Sequence, residues 1–138
     1  MTTRNASTIW NGNLANGSGK VTLNSSNIGT FDVNWPARSE NPNGVTSPEE
    51  LIAAAHSTCF AMALSHGLTQ AGTPPTQLRT KAEVDFTPGT GITGIRLHIE
   101  GEVPGLTTEQ FQAAAQGAKV NCPVSQALKT VPIELIFD

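Results

Sequence analysis

Cysteine is scarce in this chain, and that scarcity excludes much of what cysteine usually does. Two are present, Cys59 and Cys122. They lie far apart and form no C-x-x-C pair, which rules out a zinc ribbon and a thioredoxin-type site. Charge is thin as well: 14% of the 138 residues are charged and the net charge is −3. No cluster of Lys or Arg stands anywhere, so nucleic acid is not expected as a partner. The opening Met1-Thr2-Thr3-Arg4-Asn5 lacks the apolar stretch of a secretory signal. No apolar run is read as approaching the roughly 20 residues of a membrane span. Gly-rich phosphate loops and internal repeats are also lacking. The expectation is a soluble, cytoplasmic protein without a membrane association, one domain over 1–138 and long enough to bury a core. In a reducing compartment, two lone thiols are free, catalytic or metal-bound before they are a structural disulfide.

The most informative stretch that is present runs from Ser47 to Ser65. Ser47 is placed to cap a helix, Pro48 suits its first position, and Glu49 and Glu50 suit its first turn. Ala, Leu and Met dominate the residues beyond Glu50, so the helix should continue to Gly67 or Gly72, before Pro74-Pro75. It is apolar around nearly its whole circumference, which predicts a buried helix. Before it, residues 7–35 read as a short antiparallel meander punctuated by Asn and Gly, and residues 36–46 as an irregular polar loop carrying Arg38. After it come two strands (78–86 and 92–103), a helix opened by Thr107-Thr108-Glu109-Gln110, a short helix near 121–128 and a last strand over 133–137. That order is α+β, with antiparallel sheets against a long central helix. An all-round apolar helix is awkward for one small domain. Burying its remaining side against a second copy predicts a homodimer.

Cys59 sits in the middle of this helix. Most free cysteines are small buried hydrophobes, and position alone leaves this one open between packing and nucleophile. Cys122 precedes Pro123, which puts it at a helix start, where the dipole and free N–H groups favour a thiolate. Local chemistry makes the two equally good nucleophiles, and together they could run a thiol–disulfide cycle if the sulfurs approach. Arg38 is either a solvated surface charge or a guanidinium that stabilises a thiolate and a departing oxyanion. Glu49 is either a dipole-favoured first-turn acid or the carboxylate that holds Arg38. Ten residues of helix separate Glu49 from Cys59, a rise of about 15 Å. A pair of Arg38 and Glu49 serving Cys59 must therefore bend back or come from another subunit. His56, Cys59 and Cys122 could also contribute to a metal site, though no further ligand has convincing spacing.

The Ser47–Ser65 stretch, taken with Asn121-Cys122-Pro123-Val124-Ser125-Gln126-Ala127-Leu128, resembles the OsmC/Ohr family of thiol-dependent organic hydroperoxide reductases, and specifically its osmotically inducible OsmC branch. The resemblance covers essentially the whole chain and implies an intertwined homodimer with active sites at the subunit interface. Carried over by position, it makes Cys59 the peroxidatic and Cys122 the resolving cysteine, joined in an intramolecular disulfide during the cycle. Glu49 matches the family glutamate and Arg38 the arginine of the OsmC branch; the Ohr branch places its arginine near Asn16-Gly17-Ser18-Gly19-Lys20, where this chain has none. Ser47 replaces the usual Asn, one cap for another. The resemblance further implies no bound cofactor or metal, an organic hydroperoxide substrate, and recycling by an external dithiol of the lipoyl type, free or on a lipoylated protein. The alternative expectation is non-catalytic: a small-molecule-binding or stress-buffering dimer whose cysteines merely oxidise.

Overall fold

Asparagine and glycine turns shape the first part of the protein. The computed structural model describes all 138 residues, which separate into two compact units, Met1–Leu51 and Ile52–Asp138. In the first unit, β1 (Ser7–Asn11), β2 (Ser18–Thr22) and β3 (Thr30–Val33) form an antiparallel sheet in that order. Asn13 closes the first turn: its side-chain oxygen accepts the Asn16 N–H and its carbonyl the Gly17 N–H, each at 2.8 Å. A Cβ at Gly17 would fall 2.2 Å from that carbonyl oxygen, so the turn requires glycine. The second turn places Asn27 at φ 55°, a left-handed conformation that asparagine tolerates.

The loop expected over 36–46 is partly helical instead. Asn34 caps α1 (Trp35–Ser39) by accepting the Ala37 N–H at 2.8 Å, and Pro36 occupies the first turn. Arg38 thus stands on a helix rather than in a flexible loop. A cap residue followed by a first-turn proline is a recognisable start signal, hidden here because Trp35 reads as a continuation of β3. The buried side chains of this unit are Val21, Ala37 and Glu49, while Ile9, Trp10, Leu14, Ile28 and Phe31 stay exposed. That is too little burial for a core of its own.

α2 (Pro48–Gln70) begins at the end of the first unit, with Ser47 Oγ accepting the Glu50 N–H at 3.1 Å. In the second unit it lies with β4 (Gln77–Thr87), β5 (Gly91–Glu102), α3 (Thr108–Asn121), α4 (Pro123–Ala127) and β6 (Ile133–Phe137). His56, Phe60, Leu64 and Leu68 recur every four residues as its buried stripe. The last three join Ile95, Leu97 and Ile99 of β5 and Ala115 and Ala118 of α3 in one core. Thr80 on β4 donates its hydroxyl to the Ser57 carbonyl at 2.9 Å, fixing the helix on the sheet.

Three expectations are corrected here. α2 is not buried on all sides: Ala54, Ala55, Thr58 and Met62 are exposed, Met62 at 67%, because the elements of this unit cover a single stripe. At 23 residues α2 is also, by length and composition, apolar enough to cross a membrane. His56, Ser57, Thr58, Ser65 and His66 interrupt the apolar run without adding charge, which is why a count of consecutive apolar residues passes it over. One stripe of the helix, Phe60, Leu64 and Leu68, is packed in the core of this unit with β5. Lastly, the sheet of this unit is mixed. Its order is β4-β5-β6, with β4 and β5 antiparallel but β5 and β6 parallel, pairing Ile95 with Ile133. The segment through α3 and α4 is the long crossover a parallel pair needs.

Candidate active site

Two constellations carry chemistry, one in each unit. In the first, Arg38 in the last turn of α1 meets Glu49 in the first turn of α2. Its Nε donates to Oε1 at 2.8 Å and to Oε2 at 3.2 Å. The carboxylate side chain is 8% exposed against 32% for the guanidinium. A carboxylate that far from water requires such a partner, whereas the arginine side chain is partly exposed. The pairing expected from the sequence is therefore formed.

The second constellation brings the two cysteines together. Pro123 cannot continue α3, so the chain breaks at Cys122, which ends α3 and opens α4. Cys122 is fully buried, Cys59 is half-buried on α2, and both are free thiols. Cys59 lies within hydrogen-bonding reach of the Cys122 thiol and of the Val124 backbone N–H. Burial raises the Cys59 pKa above the usual thiol value, the neighbouring Cys122 thiol raises it further, and the Val124 N–H pulls it back in part. Around Cys59 the surface is an open apolar depression lined by Ala54, Ala55, Thr58, Met62, Ala63 and Pro123. Nothing lining it favours a polar ligand over an apolar one.

Sequence reasoning groups His56 with Cys59 and Cys122 as a candidate metal site and misses its actual partner. His56, a turn before Cys59, is fully buried, and its Nε2 lies 2.7 Å from Ser125 Oγ on α4. Only the Ser-Gln-Ala-Leu continuation after Cys122-Pro123 hinted that Ser125 would lie on the same short helix. With Nε2 engaged by Ser125, His56 does not join the two thiols as a ligand set, and no group of three metal-ligating side chains is assembled.

The histidines make stability depend on pH in opposite directions. Burial lowers the pKa of His56. His98, on the outer face of β5, is flanked by Asp138 Oδ1 at 3.2 Å and Glu83 Oε1 at 2.5 Å, and these carboxylates raise its pKa. A lowered histidine costs stability as pH falls below the unfolded value of about 6.5, because only the unfolded chain takes up the proton. A raised one contributes stability that is full below about 6.5 and lost as pH climbs through the folded value. Stability should therefore peak near pH 6.5 as far as the histidines decide it. In urea melts across pH, His98→Gln is expected to lower stability below about pH 6.5, where the charged ring contributes, and so to flatten the alkaline decline.

The comparisons agree with this geometry. The OsmC-like protein family profile matches residues 41–136. The chain is 42% identical over 123 residues to the peroxiredoxin OsmC of Escherichia coli K12, covering 87% of this chain and 85% of that protein. It is 33% identical over 98 residues to organic hydroperoxide resistance protein-like 2 of Staphylococcus saprophyticus, covering 67% and 69%. Among solved structures, an organic hydroperoxide resistance protein OsmC of Legionella pneumophila superposes with a TM-score of 0.76 at 24% identity, over 100% of this chain and 99% of that one. Fold and sequence identity thus converge, and the chain belongs to the OsmC-like family, on its OsmC branch.

Proposed function

We propose that the protein is a thiol-dependent peroxidase that reduces organic hydroperoxides to alcohols. The observation that carries this reading is the proximity of two free thiols, one on α2 and one at the junction of α3 and α4, with the Val124 backbone N–H beside Cys59. In the proposed cycle the Cys59 thiolate attacks the distal peroxide oxygen. The O–O bond breaks, the alcohol leaves, and Cys59 becomes a sulfenic acid. Cys122 displaces the sulfenic oxygen as water and a Cys59–Cys122 disulfide forms. A dithiol of the lipoyl class then reduces it, taking the two electrons' worth of oxidation onto itself. The apolar depression at Cys59 favours alkyl and aryl hydroperoxides over hydrogen peroxide, because burying each CH₂ recovers about 0.8 kcal/mol.

Attack needs the thiolate, and the groups around Cys59 in its own unit hold the thiol protonated on balance. The proposed remedy is the Arg38 guanidinium, oriented by Glu49, which would lower that pKa and stabilise the departing alkoxide. An intertwined homodimer with the sites at its interface would deliver it. Two features support that assembly: the uncovered apolar face of α2 around Met62, and a first unit that leaves Ile9, Trp10, Leu14 and Phe31 exposed. The same reading places the protein in the cytoplasm, where free thiols persist.

The test is the intact mass of fully reduced protein after one equivalent of cumene hydroperoxide, followed by peptide mapping. Loss of two hydrogens with a linked Cys59–Cys122 peptide is the expected result. Survival of both thiols and of the peroxide would refute the peroxidase and favour the non-catalytic dimer.

A further inference from the structure

His56 and Ser125 are 69 residues apart in sequence, yet they join α2 to α4 through a buried hydrogen bond of 2.7 Å. The imidazole is fully buried and Ser125 is 5% exposed. The other ring nitrogen, Nδ1, is buried with no hydrogen-bond partner. That combination is costly, because a polar atom removed from water without a partner is destabilising. A leucine or phenylalanine at position 56 would extend the Phe60, Leu64 and Leu68 stripe without that penalty. Packing alone therefore does not account for an imidazole; what it adds is the Nε2 bond. A neutral ring whose unpaired nitrogen carries no hydrogen is the less costly tautomer, which assigns Nε2–H as donor to Ser125 Oγ.

The bond sits where it matters to the thiols. Ser125 is in the first turn of α4 together with Val124, directly after Cys122 at the helix start. His56 precedes Cys59 by three residues on α2, on the neighbouring part of the same turn. One bond thus anchors the turn that carries the Cys122 thiol and the Val124 N–H against the turn that carries Cys59.

We infer that His56 and Ser125 are positioning residues for the resolving step: their bond keeps Cys122 in range of Cys59, so that disulfide formation outruns a second oxidation. The inference rests on the peroxidase reading given above. Two reactions compete for the Cys59 sulfenic acid. In the first, the Cys122 sulfur bonds to the Cys59 sulfur, the S–O bond breaks and water leaves. In the second, the sulfenate attacks another hydroperoxide, taking one oxygen to become a sulfinic acid and releasing a second alcohol. The first is intramolecular and depends on how α4 is held; the second depends on peroxide concentration.

The readout is the cumene hydroperoxide concentration at which half of the Cys59 ends as sulfinic acid rather than disulfide, measured by intact mass on reduced protein. It is a ratio of two rates after the sulfenic acid has formed, so it does not depend on the rate of the first attack, and it is read at a temperature where circular dichroism shows each variant fully folded. Ser125→Ala and His56→Phe are expected to lower it about ten-fold, the size of one buried hydrogen bond. His56→Gln, which keeps an N–H donor near the Nε2 position, is expected to retain the wild-type value. An unchanged concentration in Ser125→Ala would overturn the inference, as would a fall in His56→Gln equal to that in His56→Phe. Failure of the wild-type protein to form either product would instead overturn the peroxidase reading, so the two failures are distinguishable.

Discussion

Cys59→Ser is expected to abolish hydroperoxide turnover, and Cys122→Ser to stop it after one event per chain. The chain has no third thiol to substitute for Cys59, and a serine hydroxyl is not ionised at neutral pH and cannot be carried through a sulfenic acid. The Cys122 variant should still release one alcohol per Cys59. It would then hold a sulfenic acid with no resolving partner, and at higher peroxide concentrations it should accumulate sulfinic acid. Coupled assay with a lipoyl-type dithiol reads the first effect, and mass of Cys59 after graded peroxide reads the second. Full turnover in Cys59→Ser would remove the peroxidatic assignment. Full turnover in Cys122→Ser, with no gain in sulfinic acid, would show that the external dithiol resolves the sulfenic acid directly.

Some of this arrangement is legible in the sequence because it is local. Ser47-Pro48-Glu49-Glu50 announces a helix start, and the bond from the Glu50 N–H to Ser47 Oγ is what such a start provides. Cys122-Pro123 announces a break between helices for an equally local reason, the missing N–H and the fixed φ of proline. The Arg38–Glu49 pair is one of two readings that the residues leave open, and the family resemblance favours it. Relations that depend on packing at long range were not legible. Nothing near His56 indicates that Ser125 will lie against it, since helical spacing gives a face and not what covers it. The parallel placement of β6 follows from where α3 and α4 return the chain, which no alternation within Ile133–Phe137 encodes. That α2 would keep a side the chain itself does not bury follows from its all-round apolar composition, but which residues form that side does not. Its composition shows that the face is apolar, but only the packed unit shows that this chain leaves Ala54, Ala55, Thr58 and Met62 uncovered.

Replacing Arg38 by methionine should have two separable effects. The first is on stability: Glu49, with its side chain 8% exposed, loses its charged donor, an expected cost of about 1–3 kcal/mol. The second is on rate: loss of a positioned donor at a developing oxyanion costs on the order of 10²–10³-fold. Arg38→Lys should recover part of the rate through its charge and little of the fork geometry. The Cys59 pKa, read from thiolate absorbance, should be higher in Arg38→Met than in the wild type, since only the surroundings in its own unit, which raise it on balance, would remain. Mixing subunits then decides which chain supplies the guanidinium. Arg38→Met and Cys59→Ser are each expected to be nearly inactive alone. If Arg38 serves the partner's thiol, a hybrid dimer contains one site with both residues intact, and random pairing of equal amounts should restore about a quarter of the wild-type sites. If Arg38 serves the thiol of its own chain, every site in the hybrid lacks one of the two residues and no activity returns. The bend in the chain that this second outcome requires would have to carry Arg38 back along α2 over the roughly 15 Å of helix between Glu49 and Cys59, so restoration is the expected result.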